Sequence, residues 1–395
     1  MLSAWLLLAG CTPVQGEHRA LDSSKATASD KAAASDKATA SDKAAASDKA
    51  ASSRPVPAHH RADGFVNSDG SRVNKPLGEL LTWWWQRRAL DLDALVQPAR
   101  IEAAWAAMPE AWRASSSAVT GTATGEPDVV VTWLGHASVM LALPGLRVLC
   151  DPHFSARASP VSWAGPKRLH PVPDAVRSMG RVDLVLISHN HYDHLDAETV
   201  RMLARQQGGP PLFLVPLGVE GWFREQGIHT VQALDWWESV EVQGASLHFV
   251  PAHHWSGRGL WDRNRTLWGG WVLLHPALRF YFAGDTGWSE DFAAIARRFA
   301  PFDLAAIPVG AYEPRWFMAA QHTNPLEAVR IHQAIGSPLS LGIHWGAFQL
   351  TDEAYEAPIQ DLKAALHNQG IPLERFRLFL PGQSLRLPSA AHTTR

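Results

Sequence analysis

Residues 182–194 read Val-Asp-Leu-Val-Leu-Ile-Ser-His-Asn-His-Tyr-Asp-His, a short apolar run followed at once by a dense group of polar side chains. The apolar run 182–187 is typical of a buried β-strand. The loop after it carries His189, His191, Asp193 and His194. Imidazole and carboxylate groups suit zinc, with manganese or iron as competitors. A lone histidine is usually structural, but this concentration of ligand-type residues at a strand end predicts a metal site.

Three further apolar runs end in the same way. The runs 246–250, 279–283 and 339–343 are each followed by a ligand-type residue, respectively His254, Asp285 and His344. A fold that collects its functional loops at one edge of the sheets would bring these side chains to the first group. A carboxylate placed between two histidine groups can then bridge two metal ions. His253 directly precedes His254, so position alone leaves either residue as the ligand.

From residue 129 onward, short apolar runs alternate with helical stretches, which predicts a layered α/β fold. The first three runs follow one another closely, so this part of the sheet is expected to be antiparallel. A helical, Trp-rich segment at 77–113 precedes them. The predicted helices are 197–206, 290–298 and 325–335. The predicted strands are 129–134, 138–143, 146–150, 182–187, 211–216, 246–250, 270–274, 279–283, 304–308 and 339–343.

The ligand pattern, His-x-His-x-Asp-His followed by His254, Asp285 and His344, resembles that of the metallo-β-lactamase-fold hydrolases. Within that superfamily the chain resembles the N-acyl-phosphatidylethanolamine phospholipase D group over roughly residues 75–388. The blocks that carry this closer resemblance are 133–138, 151–152, 165–168, 234–237, 282–287, 312–318 and 342–346.

The resemblance implies a four-layer αβ/βα sandwich that holds two zinc ions. It implies one ion on His189, His191 and His254, the other on Asp193, His194 and His344, and Asp285 between the two. It favours His254 over His253, because the histidine directly before Trp255 matches the family position. Gln321 and His322 match positions that line the substrate site, although such a polar pair can equally open a helix.

Two neighbouring metal ions can share a hydroxide whose parent water has a lowered pKa, and this hydroxide is the expected nucleophile on a phosphodiester. Asp193 and Asp285 are the catalytic candidates, and Asp285 could also orient the nucleophile. Asp151 and His136 are candidates to hold the ligand imidazoles. Either could equally be a satisfied structural residue, and this reading is favoured for His136.

The residue types at the site do not select the substrate. A phospholipid substrate and phospholipase D-type hydrolysis are implied by the resemblance, which also allows a homodimer. A lactonase, a small-molecule phosphodiesterase and a non-catalytic zinc-binding envelope protein remain as alternatives. The formal net charge of −2 and the absence of a basic stripe argue against a nucleic-acid partner.

The N-terminal region divides by composition. Residues 1–22 contain a short apolar run ending in Leu-Ala-Gly-Cys11, which resembles the acylation signal of bacterial lipoproteins, although no Lys or Arg precedes the run. Residues 23–75 begin with a six-residue Ser-Asp-Lys-Ala repeat and are expected to form a linker, and 76–390 form the predicted hydrolase domain. We therefore expect an outer-membrane lipoprotein that faces the periplasm. The cluster 83–88, Trp-Trp-Trp-Gln-Arg-Arg, predicts either a membrane-interface element or a helix packed on the domain.

Overall fold

The computed structural model describes residues 56–112 and 129–388. The predicted signal and the hexapeptide repeat lie outside these residues. The strands of the described part are β1 (His60–Arg61), β2 (Gly64–Phe65), β3 (Val129–Gly135), β4 (Ser138–Leu143), β5 (Leu146–Cys150), β6 (Leu184–Leu186), β7 (Leu212–Pro216), β8 (Val231–Leu234), β9 (Ser239–Val242), β10 (Ala245–Val250), β11 (Gly270–His275), β12 (Leu278–Phe282), β13 (Leu304–Pro308), β14 (Ser340–Ile343), β15 (Phe376–Arg377) and β16 (Ser384–Leu387).

Ten α-helices connect and cover these strands within the described residues. They are α1 (Leu77–Arg87), α2 (Leu92–Leu95), α3 (Pro98–Ala106), α4 (Asp174–Ser178), α5 (Ala197–Ala204), α6 (Glu220–Glu225), α7 (Asp291–Phe299), α8 (Arg315–Met318), α9 (Pro325–Ala334) and α10 (Ala357–Asn368). Two 3₁₀ turns, Glu110–Trp112 and Leu373–Arg375, complete the helical elements. In this part of the chain no helix combines the length and the apolar character needed to cross a membrane.

The larger strands form two seven-stranded sheets. One has the order β16-β3-β4-β5-β6-β7-β8 and the other β15-β14-β13-β12-β11-β10-β9. In the first sheet β3, β4 and β5 pair antiparallel, as predicted, whereas β5 to β8 pair parallel. All ten predicted strands are present, to within two residues at their ends. The strands that the sequence did not predict are short or half-exposed, for example β8 and β9.

Side-chain alternation along β6 shows why the sheets form layers. Leu184 and Leu186 pack into the core shared with the second sheet, which includes Phe249. Val185 belongs to a separate core on the other face of its sheet, where Val200 of α5 covers it. A parallel strand buried on both faces is uniformly apolar, as β6 is. The helices and mixed sheets therefore build the predicted α/β sandwich.

The segment from residue 56 to 75 packs on the domain. Phe65 and Val66 are buried, and the Phe65 amide donates to the Asn264 carbonyl over 2.8 Å. The Asn67 side chain is buried and its Oδ1 accepts from the His254 amide at 3.1 Å. The packed domain therefore begins upstream of residue 76, because Phe65, Val66 and Asn67 are buried against the domain surface.

The Trp-rich segment forms three helices rather than one, and Pro98 begins the third. One face of α1 packs on the domain: Trp83 stacks on Phe317 with ring centroids 4.9 Å apart, and its Nε1 donates to Asp352 over 2.8 Å. Arg87 pairs with the same carboxylate at 2.9 Å. The helix is therefore packed on the domain through one face, and its opposite face is exposed to solvent.

Candidate metal centre

Loops at the ends of strands in both sheets converge on one buried cluster. Parallel pairing aligns the carboxyl ends of β12, β13 and β14, and likewise those of β5 and β6, at the same edges. The cluster residues follow β3 (His136), β5 (Asp151), β6 (His189, His191, Asp193 and His194), β10 (His254), β12 (Asp285) and β14 (His344). The sheet topology therefore brings together all seven predicted metal ligands.

A first donor group contains His189, His191, His254 and Asp285. Nδ1 of His191 lies 2.8 Å from Nε2 of His189 and 3.3 Å from Nε2 of His254. Oδ2 of Asp285 lies 3.8 Å from the His189 nitrogen and 3.7 Å from the His254 nitrogen. These atoms face one another closely enough to share one cation.

A second donor group lies beside the first and contains Asp193, His194 and His344. Oδ2 of Asp193 lies 3.5 Å from Nε2 of His194 and 3.3 Å from Nε2 of His344. Oδ2 of Asp285 lies 3.1 Å and 3.0 Å from the same two nitrogens. The Asp285 carboxylate therefore stands between both groups, where the resemblance places it.

His136 also reaches this second group, which the sequence did not favour. Its Nε2 lies 3.0 Å from Oδ2 of Asp193, and the residue is almost fully buried. The signal that could have found it is its place at the end of β3, directly after Gly135. A strand-end position is the same feature that marks the other cluster residues.

Hydrogen bonds to the Nδ1 atoms of three ligand imidazoles orient these rings toward the cluster. Oδ2 of Asp151 accepts from Nδ1 of His194 over 2.7 Å and from the Ser188 hydroxyl over 2.5 Å. The same Ser188 oxygen lies 2.9 Å from Nδ1 of His189. The Gln321 carbonyl accepts from Nδ1 of His254 at 2.9 Å. Such contacts orient a metal-ligating imidazole and select its tautomer, which is the role expected for Asp151.

The electrostatics of the cluster favour ionised carboxylates. Burial opposes ionisation of Asp193 and Asp285, yet the neighbouring His194 holds the pKa of each well below its ordinary value. Burial also opposes the charged form of His344, but the Asp285 carboxylate raises the pKa of this imidazole to about 9. In the first donor group, burial lowers the pKa of His254 to about 4, so this imidazole is neutral. Ionised carboxylates and the neutral His254 imidazole are in the protonation states that metal ligands require, whereas His344 has to release its proton when a cation binds.

Three cluster residues adopt backbone conformations that side chains other than glycine rarely take. The φ angles are +54° at His136, +38° at Asp151 and +61° at His344. Gly284, with φ of +62°, precedes Asp285, and a Cβ there would meet Ser188 Cβ at 2.7 Å. Strain of this kind persists where the surrounding structure imposes it, commonly at functional sites.

The residues present fit a metal ion. Oδ1 of Asp285 and Nε2 of His191 are buried and have no hydrogen-bond partner within the described ranges. A buried carboxylate oxygen without a donor is costly, and a cation would satisfy it. Several imidazole nitrogens together with carboxylate oxygens form the donor set that zinc prefers.

A cavity of about 500 Å³ opens onto both donor groups. Gln321 and His322 line it, as predicted from the resemblance, and the ring of His322 stacks on that of His344 with centroids 5.1 Å apart. His253 lies apart: its Nδ1 contacts the Ala320 carbonyl and its Nε2 the Ser71 hydroxyl. The structure therefore places His254 in the cluster and His253 beside it.

Other cavity residues were not recognised as site residues from the sequence. Four cationic side chains line the cavity, together with an apolar wall from α1. The cations are Arg87, Arg157, Lys167 and Arg258, and the wall includes Leu80, Trp83 and Trp84. Lys167 lies in the block 165–168, which resembles the phospholipase D group, and this resemblance was the feature of the sequence that could have identified it as a site residue.

A family model described as "Beta-lactamase superfamily domain" matches residues 146–345, which contain all seven predicted metal ligands. The chain belongs to the metallo-β-lactamase superfamily. It is a metal-dependent hydrolase of that superfamily, and the fold and cluster described above are those of this family.

The chain is 43% identical over 249 residues to the N-acyl-phosphatidylethanolamine-hydrolyzing phospholipase D 1 of Caenorhabditis elegans, covering 60% of this chain and 70% of that one. A mitochondrial phospholipase D of the same description from Saccharomyces cerevisiae is 36% identical and covers 59% of this chain and half of its own. An isothiocyanate hydrolase from Delia radicum gut bacteria superposes with a TM-score of 0.50 at 20% identity, covering 66% of this chain and all of its own. At that identity the likeness supports the fold alone.

Proposed function

We propose that this superfamily member is a zinc-dependent phosphodiesterase that cleaves N-acyl-phosphatidylethanolamine-like phospholipids in the manner of a phospholipase D. The observation that carries the proposal is the composition of the cavity. Its floor is the double donor cluster, its wall is the apolar face of α1, and four cationic side chains line it. A phosphodiester joined to acyl chains matches this combination of negative charge and apolar surface. The similarity to two phospholipases D supports the same substrate class.

Two zinc ions would be held by the two donor groups, with Asp285 shared between them. When bound, zinc would supply Lewis acidity toward a phosphoryl oxygen and lower the pKa of a water molecule. The chain's own carboxylates then have separate tasks. Asp285 lies between the two donor groups, so its carboxylate would contribute to both and accept a hydrogen bond from the attacking water. Asp193 would complete the second donor group.

Among the cavity cations, Lys167 is the best placed to meet a phosphate. Arg87 is occupied by Asp352, and Arg258 donates to the carbonyls of Asn190 and Leu195. Arg157 donates to the Gly165 carbonyl over 2.6 Å. Lys167 forms no ion pair with any carboxylate in the described part of the chain, and its side chain is exposed at the cavity. We assign it to the phosphoryl oxygens of the substrate.

The proposed reaction consumes one water. A water oxygen forms a bond to phosphorus, and the bond from phosphorus to the headgroup oxygen breaks. The headgroup oxygen takes up a proton, so the products are phosphatidate and the N-acylated amino alcohol. Charge that develops on the phosphoryl oxygens would be stabilised by the Lys167 ammonium group.

The test is to incubate N-acyl-phosphatidylethanolamine in mixed micelles with the full chain and to quantify phosphatidate by mass spectrometry. The wild type should release phosphatidate, and Asp285→Asn should not. Asp361→Asn is the matched control, because Asp361 contacts Tyr312 and none of the cluster residues. Hydrolysis of lactones without phosphatidate release would replace the proposal with a lactonase. No turnover of lactones, lipids or bis(p-nitrophenyl) phosphate by metal-loaded protein would indicate a non-catalytic zinc-binding protein.

A membrane surface is the proposed place of action, and exposed apolar side chains support it. Leu77, Leu81 and Trp85 are 65%, 55% and 71% exposed and follow one another at helical spacing along α1. Trp163 and Trp261, 75% and 90% exposed, lie in the two loops that also contribute cavity residues. Aromatic and aliphatic side chains beside cations are typical of surfaces that bind the lipid headgroup region.

Vesicle co-sedimentation tests this surface. Leu81→Gln should reduce binding to anionic phospholipid vesicles several-fold, since it removes an apolar side chain from the exposed face of α1. Met202→Gln is the control, because Met202 is 46% exposed on α5, no residue of which lines the cavity. Equal binding by both variants and the wild type would exclude this face from the membrane contact.

A further inference from the structure

A second cluster of ligand-type side chains lies apart from the metal centre, where the N-terminal segment meets the domain. His59 and His60 come from β1 and the turn before it, and Asp235 follows β8. Nε2 of His59 lies 2.6 Å from Oδ1 of Asp235, and Nε2 of His60 lies 2.8 Å from Oδ2. One potential ligand atom from each residue lies within 4.8 Å of the other two. None of these residues lines the catalytic cavity.

We propose that His59, His60 and Asp235 form an additional zinc site that fastens the N-terminal segment to the domain. Two imidazole nitrogens and one carboxylate oxygen are a donor set that zinc accepts, and hard cations such as magnesium prefer oxygen ligands alone. Ligand atoms about 2.0–2.1 Å from a tetrahedral zinc ion lie about 3.3 Å apart. The His–Asp contacts of 2.6 and 2.8 Å would therefore lengthen by roughly 0.5–0.7 Å when an ion replaces the shared protons. The His60 side chain is 24% exposed, so a water can complete the coordination.

The three side chains are held in place before any ion binds. Oδ1 of Asp235 accepts from the Trp236 amide at 2.7 Å, which orients the carboxylate. The His59 ring stacks on Trp236 with centroids 4.3 Å apart, and the His60 ring meets the Phe65 ring edge-on at 5.0 Å. Aromatic walls restrict solvent around a metal site, and ordered ligands lose less entropy on binding.

A zinc ion bound at this cluster would attach the hairpin formed by β1 and β2 to the rest of the domain. The segment that begins with these histidines continues to Asn67, whose Oδ1 accepts from the His254 amide and from Trp268 Nε1. The His59 carbonyl accepts from the Val66 amide, so β1 and β2 move together. A cation at Asp235 would hold this hairpin against the domain, and the same segment supports His254 of the catalytic cluster through Asn67.

Metal counting tests the proposal on the full chain, saturated with zinc and then freed of unbound metal by gel filtration. His60→Gln and Asp235→Asn should each contain one zinc ion fewer per chain than the wild type. Asp63→Asn is the matched control, because it breaks the ion pair to Arg72 within the same segment and leaves the three donors intact. Its zinc content should equal that of the wild type.

Equal zinc content in wild type and His60→Gln would overturn the proposal and leave a hydrogen-bonded His–Asp cluster without metal. If both variants failed to fold, stepwise reloading of the metal-stripped wild type with ¹¹³Cd²⁺ decides the matter. A resonance additional to those of the catalytic cluster supports the site, and its absence refutes it. Phosphatidate release measured on the same samples reports on the catalytic proposal separately, because His60→Gln should retain this activity while binding one zinc ion fewer.

Discussion

The hydrogen bond from His194 to Asp151 should control metal affinity, and Asp151→Asn tests this without removing a ligand. Asp151 is fully buried, and its Oδ2 accepts from both His194 Nδ1 and the Ser188 hydroxyl. Oδ1 accepts from the Ser188 amide over 2.7 Å. In the variant, if the amide oxygen keeps the Ser188 amide as its donor, the NH₂ group faces the His194 ring. Nδ1 must then become an acceptor, which moves the proton to the Nε2 that a metal needs.

The size of the effect follows from this change of tautomer. Replacing a partner behind a metal ligand typically weakens metal affinity or activity by about 10–100-fold. Each factor of ten corresponds to about 1.4 kcal/mol, so we expect a loss of about 1.4–2.7 kcal/mol in zinc binding. The chain should still fold, since the amide has nearly the shape of the carboxylate and retains the bond from the Ser188 amide.

The assay is competition for zinc against a chromophoric chelator, with circular dichroism to verify folding. Asp361→Asn provides the control, because this carboxylate accepts from the Tyr312 hydroxyl at 2.5 Å, far from any ligand contact. It should leave zinc affinity unchanged. Zinc affinity within about twofold of wild type in Asp151→Asn would refute the reasoning and show that His194 is oriented by its packing alone.

Three further predictions address the backbone, the Trp-rich helix and the N-terminus. Gly284→Ala should lower the free energy of unfolding by about 1–3 kcal/mol, because φ is +62° there and the added Cβ meets Ser188 at 2.7 Å; denaturant unfolding measures it, and an unchanged midpoint would contradict the strain argument. Trp83→Phe keeps an aromatic ring for stacking but removes the indole donor to Asp352, so we expect a loss of about 1–3 kcal/mol, seen as a lower melting temperature; no change would mean that this hydrogen bond does not contribute to the attachment of α1. Cys11→Ala should move the protein from the membrane fraction to the soluble fraction of cells, and retention in the membrane would contradict the predicted lipid anchor.

Local patterns in the sequence were sufficient for the ten predicted strands and for the ligands that follow them. A buried parallel strand consists mainly of apolar residues, so a run such as 182–187 can be recognised from the sequence as a buried strand. A polar residue one or two positions after such a run is carried to the sheet edge by the strand itself. For this reason His189, Asp285 and His344 could be placed in one site from their positions alone, and their convergence is what the structure shows.

Contacts between distant segments were decided only by the tertiary structure. His136 meets Asp193 across 57 residues of sequence, and Trp83 meets Asp352 across 269. The spacing of apolar residues within one segment does not predict such contacts, because they depend on how the sheets and helices pack against one another. The cavity has the same origin, since its wall comes from α1 and its floor from strand ends far along the chain.

The N-terminal segment shows the same division most clearly. Its composition predicted a linker up to residue 75, because few large apolar residues occur there. Yet Phe65 and Val66 bury against the domain, and Asn67 supports the backbone of His254. The few apolar side chains of a short segment cannot by themselves offset the conformational entropy that is lost on ordering. Contacts with the domain surface supply the remaining free energy, so only the folded domain could determine where the linker ends.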